Sequence, residues 1–165
     1  MTKTFRVQLP HTTTSTNYTL PAGTINSKVI FAYTHGQCHA LAVALCKILR
    51  AQPALIVSSS ICETLNLSAE EISALPELPD YAAAWHWDHA MAQLGSDYLD
   101  IRGVLTRDQA VVSSKGYLVV PSSQRQLNFL LRETDVVRAN MEAAHHYAKL
   151  VIKEHLGAPR LIFAN

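Results

Sequence analysis

One domain of mixed strands and helices is the class that this 165-residue sequence predicts, and three observations predict it. The length suits a single hydrophobic core that buries roughly 70% of the unfolded surface. Short β-favouring runs alternate with segments of helical period. The last third turns mainly helical. Apolar residues make up 48% of the chain, which excludes a disordered polymer, while charged residues at 16% fall below the usual share of about 25%.

Taken in order, Phe5, Val7 and Leu9 alternate with polar neighbours before Pro10, which predicts a short edge strand, followed by a threonine-rich stretch from Thr12 to Thr16. Residues 28–33 (KVIFAY) are apolar, β-branched and aromatic, bounded by Asn26-Ser27 and by Thr34-His35-Gly36, and read as a strand running into a loop. From Cys38 the period changes. Cys38, Leu41, Leu45, Ile48 and Leu49 recur at helical spacing until Pro53. Residues 54–57 suit a buried strand. Ser68 with Glu71 makes a capping box for a short helix ending before Pro76 and Pro79, part of a middle excursion or lid. Residues 85–94, the Gly95-Ser96 turn and residues 97–102 read as a hairpin. Residues 117–120 are a further strand. Residues 122–156 read as helical, with Val137, Met141, Ala144, Ala148, Val151 and Ile152 on one stripe and Gly157 with Pro159 closing it.

Charge and cysteine usage narrow the function classes. Fourteen basic against 13 acidic residues give +1, which argues against a nucleic-acid or acidic-membrane partner. The longest apolar run, residues 40–46, stops at Lys47, short of the roughly 20 residues of a membrane span. With no apolar block of signal-peptide length behind Lys3, the expectation is a cytoplasmic protein. Three cysteines without a C-x-x-C spacing are expected as reduced thiols.

Cys38 falls in the first turn of its helix, after a glycine loop, where unpaired backbone N–H groups and the helix dipole favour a thiolate and can hold an oxyanion. A two-residue turn at Gly95-Ser96 puts Leu94 opposite Asp97, Met91 opposite Asp100 and His89 opposite Arg102. His89 and Asp100 then share a face as diagonal neighbours, the relation by which a carboxylate orients a general base. Trp87, Met91, Tyr98 and Arg102 would complete that face, suited to enclosing a substrate chain and nearly as well to a core.

The segment GQCHALAVALCKILRAQPALIVSS resembles the nucleophile segment of transglutaminase-like proteins, where Gly-x-Cys opens a helix that ends in Leu-Arg and leads to a strand. His89-Ala90 and Leu99-Asp100 match, in chain order, that family's His-Ala strand and Asp strand. The likeness runs from about Tyr33 to Gly103, within a wider group of papain-like peptidases, amidases and deamidases. It departs at Met91, where an aromatic is usual, and at Asp-Ile-Arg-Gly, where Asp-Pro is usual, which favours a remote hydrolase over a cross-linking enzyme. The resemblance implies an α+β papain-like fold: a nucleophile helix packed on an antiparallel sheet, with C-terminal helices added here. It also implies a Cys38, His89, Asp100 triad acting on a protein or peptide amide, without a cofactor.

Competing readings stand beside these. Cys46 and Cys62 suit inert buried thiols, His35 is a rival base, and Asp100 could simply pair with Arg102. Gln37, Asn26 and Tyr33 are alternative oxyanion side chains. His39, His86 and Asp88 are expected on solvated faces. A zinc site from His35, Cys38, His86 and His89 conflicts with strand alternation, and there is no phosphate-binding glycine motif. The rival class is a non-catalytic interaction module on the same scaffold, using the last helix or the Trp85 and Trp87 region.

Overall fold

A computed structural model describes residues 3–10, 16–111, 116–133 and 138–157. Strands β1 (Thr4–Leu9) and β2 (Thr16–Pro21) form an antiparallel ribbon, with Phe5, Val7 and Leu9 turned inward as their alternation requires. Two helices follow, α1 (Ser27–Thr34) and α2 (Cys38–Leu49), bent 96° from one another. Strand β3 (Gln52–Ser58) leads into three short helices, α3 (Ile61–Leu65), α4 (Ala69–Ala74) and α5 (Asp80–His86). Strands β4 (Trp87–Leu94), β5 (Asp97–Asp100) and β6 (Gly103–Leu105) form a meander, followed by α6 (Arg107–Val111) and β7 (Tyr117–Pro121). Helices α7 (Gln124–Glu133) and α8 (Met141–His155) complete the described chain.

The main sheet has five antiparallel strands in the order β6-β5-β4-β3-β7. The chain is an α+β protein with helices packed against that sheet. Alternation along β3 separates two cores: Leu55 and Val57 face Ala42 of α2 together with residues of α3, α4, α5 and α7, whereas Ala54 and Ile56 face Met91, Tyr98, Val119 and Ala110 of α6. A third cluster joins the other flank of α2 (Ala40, Leu41, Ala44, Leu45) to the ribbon, α1 and the Ala143 to Ile152 stripe of α8. Helix α2 is therefore apolar nearly all round, which fits a sequence with no charge between residues 38 and 46. Full burial of a side chain such as Leu41 or Leu45 contributes about 1.5–3 kcal/mol. Among the described residues no single helix is long and apolar enough to cross a membrane.

Several sequence expectations are corrected here. Residues 28–33 are helical, within α1: the Asn26 side chain accepts the Val29 N–H at 3.1 Å, and Val29, Ala32 and Tyr33 bury the i, i+3, i+4 face. The run is β-favouring residue by residue, but its cap and its period are helical. Helix α2 ends at Leu49 because Arg50 turns left-handed (φ 53°) and caps Cys46, so Pro53 lies inside β3 rather than terminating the helix. Trp85 belongs to α5, not to the hairpin. Residues 122–156 are mainly helical, as expected, and form two helices; Val137, Pro159 and residues 12–15 of the threonine-rich stretch lie outside the described residues. The Ser68–Glu71 capping box and the Leu94–Asp97 pairing are as expected.

Two glycines are required by close approach. A Cβ on Gly36, two residues before Cys38, would collide with the Pro10 ring. Gly103 has φ +108° and follows the Ile101-Arg102 turn that joins β5 to β6, beneath the His155 ring. Because the exposed His155 ring can move, backbone strain is the larger cost. Gly103→Ala is expected to lower stability by about 1–3 kcal/mol in denaturant titrations. Gly23→Ala, where an added Cβ meets nothing within 4 Å, is expected to be close to neutral.

Candidate active site

The site begins with the burial of α2. Its first residue, Cys38, is 3% exposed, so its thiol is enclosed while the backbone N–H groups of the first helical turn stay without helical partners. Across from it, β4 and β5 pair only from Ala92–Leu99 to Leu94–Asp97. Beyond Ala92 the strands part, and there the His89 ring meets the Asp100 carboxylate, Nε2 to Oδ2 at 2.8 Å. A β-bulge in β4 accompanies this parting: Ile56 faces His89 but Val57 faces Trp87, leaving Asp88 as the extra residue.

Asp100 is 1% exposed and saturated with donors. Its Oδ1 accepts the Arg102 backbone N–H at 2.7 Å, and its Oδ2 accepts Arg102 Nη2 at 2.6 Å as well as His89. Arg102 Nε reaches both oxygens at 3.2 and 3.0 Å. The Asp-Ile-Arg-Gly step is thus a local device: the acid starts the turn, the arginine two residues on clamps it, and Gly103 supplies the backbone conformation. Burial alone would raise the carboxyl pKa, but hydrogen bonds and charge from His89 and Arg102 hold it well below the usual range.

The same competition sets the thiol and the imidazole. Burial would push the Cys38 thiol up, as it pushes Cys46 to about 12, but the adjacent His89 charge, aided by His39, holds it well below an ordinary thiol. Burial would lower His89, and the Cys38 thiolate and the Asp100 carboxylate raise it instead. Each group favours the ionised form of the other. With Nε2 committed to Asp100, Nδ1 is the nitrogen left to exchange a proton with the thiol.

The remaining sequence candidates are distributed differently. Gln37 is fully buried, but its amide is a structural staple: Nε2 donates to the carbonyls of Gln8 (2.8 Å) and Arg138 (3.0 Å), and Oε1 accepts the Asn140 N–H (3.0 Å). No donor is left for an oxyanion. Asn26 is spent on its helix cap. Tyr33 is fully buried in the α1, α2 and α8 core, edge-on to Tyr147 at 5.4 Å between centroids, with its hydroxyl unpaired among the described residues. The expected surround of His89 is divided, because the bulge sends Trp87 to the α2 side while Met91 and Tyr98 pack on the α6 side. Arg102 binds Asp100 rather than facing a ligand. The rival base His35 is exposed, stacked on Phe31 and bonded to Thr34. His86 bonds Ser60 and Thr64. Among the described residues, no three His, Cys, Asp or Glu side chains are placed to hold a metal ion.

His39, expected on a solvated face, is 2% exposed, lies edge-on to Trp87 at 5.5 Å, and has neither ring nitrogen hydrogen-bonded. It is among the groups that lower the pKa of the Cys38 thiol. The uncharged stretch after it was the available signal, since a helix apolar on every side buries its polar residues too.

No family model matches this chain, and neither the curated proteins nor the solved structures include a match. The staple is testable by substitution. Gln37→Leu leaves two carbonyls and one N–H unpaired and is expected to cost about 2–4 kcal/mol in denaturant titrations, in the range for orphaned buried groups. Alkylation of Cys38 in the folded fraction is expected to keep its wild-type rate.

Proposed function

We propose that this chain is a cysteine-dependent amide hydrolase on a papain-like core, with Cys38 as nucleophile, His89 as general base and acid, and Asp100 as orienting group. The observation that carries the reading is the 2.8 Å contact of His89 Nε2 with a buried Asp100, in a protein whose helix-opening Cys38 is pulled toward thiolate by that same imidazole. Such a pair needs no separate deprotonation step. The sulfur attacks the amide carbon, the carbonyl electron pair moves onto oxygen, and collapse breaks the C–N bond while imidazolium protonates the departing amine. Water, deprotonated by His89, then cleaves the thioester and frees the thiolate. A protein or peptide amide, either backbone or side chain, is the substrate class the resemblance suggests. Because Cys38 and His89 are 3% and 5% exposed, entry of a substrate requires covering side chains to move.

A second reading is an interaction module on the same scaffold. It is favoured by helix α5, which leaves Trp85 85% and Tyr81 58% exposed. Alkylation rates against pH, read for each thiol by peptide mass, separate the two. Iodoacetamide is expected to modify Cys38 about tenfold or more faster at neutral pH than an ordinary thiol of pKa about 8.5, with reactivity persisting into mildly acidic solution. The acid limb marks protonation of the lowered thiol. His89→Ala is expected to move that limb up to or above the ordinary thiol range, because burial is then largely unopposed, and Asp100→Asn to move it part of the way. A Cys38 rate that tracks an ordinary thiol and ignores both substitutions would leave the binding module as the function.

A further inference from the structure

Resting on the hydrolase reading, we infer that His39 is the side-chain donor of the oxyanion site, supplying a ring N–H to the carbonyl oxygen of the acyl group that Cys38 attacks. Three observations lead there. First, the side chains that sequence reasoning assigned to this task are otherwise engaged or enclosed. Gln37 spends its amide on Gln8, Arg138 and Asn140, Asn26 caps α1, and Tyr33 lies inside the core. Second, His39 is buried and polar, and both of its nitrogens lack a partner among the described residues. An imidazole carries at least one N–H in either protonation state, and a buried donor left unpaired costs about 1–3 kcal/mol. A polar ligand atom at this position would relieve that cost. Third, His39 directly follows Cys38 in the first turn of α2, and its ring is steadied by the edge-on contact with Trp87. A donor held in a dry site before the reaction needs little reorganisation when charge develops.

In the proposed step the Cys38 sulfur forms a bond to the carbonyl carbon and the C=O π pair becomes a lone pair on oxygen. That oxygen accepts hydrogen bonds from the His39 ring N–H and from the first turn of α2. When the carbonyl re-forms, the leaving group departs with its bonding pair, protonated by His89 if it is an amine. His39 neither gains nor loses a proton. Its role is thus distinct from that of His89.

Two reagents separate oxyanion stabilisation from thiolate formation. Iodoacetamide alkylates at a tetrahedral carbon and develops no oxyanion, whereas p-nitrophenyl acetate acylates through one. Both rates would be measured at Cys38 at about pH 9, where the lowered thiol is ionised, with Cys62 as internal reference. His39→Phe keeps a ring beside Trp87 and removes the donors. It is expected to slow acylation about 10²–10³-fold, the usual effect of deleting one oxyanion donor, and to leave alkylation within about threefold. His39→Gln, which restores an N–H, is expected to recover a large part of the acylation rate. Parallel loss with both reagents, or no loss with either, would overturn the role of His39 while leaving the triad standing. Wild-type protein whose Cys38 is no faster than Cys62 toward either reagent would overturn the hydrolase reading and this inference with it. If His39→Phe alkylates all three thiols alike it has unfolded, and His39→Leu then takes its place: acylation slowed with alkylation retained supports the donor role, and parallel loss or no loss refutes it.

Discussion

Burial of α2 on nearly every side is the constraint from which the rest of the structure follows. A helix enclosed by a sheet, by α1, α7 and α8, and by the ribbon satisfies its interior carbonyls and N–H groups internally, but its first turn cannot. The unspent donors lie at Cys38, which makes that end a place inside the core where negative charge is tolerated. Gly36 and Gln37 fix the approach to this turn. The glycine yields to the Pro10 ring, and the glutamine amide ties the start of α2 to β1 and to the residues preceding α8.

Placing charge in that interior carries a desolvation penalty that only a fully partnered arrangement offsets. Asp100 meets this condition: each of its oxygens is bonded, to His89, to the Arg102 guanidinium or to the Arg102 N–H. The partly exposed Arg102 carries the balancing positive charge to the surface. In the ionised state, Cys38, His89 and Asp100 would form a chain of alternating sign. Its ionised state is stabilised by geometry despite burial that opposes the charge on every member. The step Asp-Ile-Arg-Gly is what supplies this clamp within four residues.

The hairpin shows how far local rules extend. Strand parity and a two-residue turn suffice to bring His89 and Asp100 to one neighbourhood, since the Leu94–Asp97 pairing follows from the turn. The same rules mislead about Trp87, because an inserted Asp88 breaks alternation, and nothing in the local pattern marks a bulge there. They mislead about α1 as well. Its residues favour β structure one by one, while the burial of Val29, Ala32 and Tyr33 against α2 and α8 selects the helix.

Short-range information therefore carried the elements whose physics is local: the capping box at Ser68, the helix opening at Cys38, the hairpin turn, and the pairing of a histidine with an acid across it. Contacts between distant segments decided the rest. Only the fold shows that the Gln37 amide is consumed by Gln8, Arg138 and Asn140, or that His39 is enclosed with its nitrogens unpaired. The reason is physical: a hydrogen bond across 100 residues of chain, and the burial of a polar side chain, depend on which surfaces meet, and a periodic pattern along one element specifies the surface it presents but not the partner that covers it.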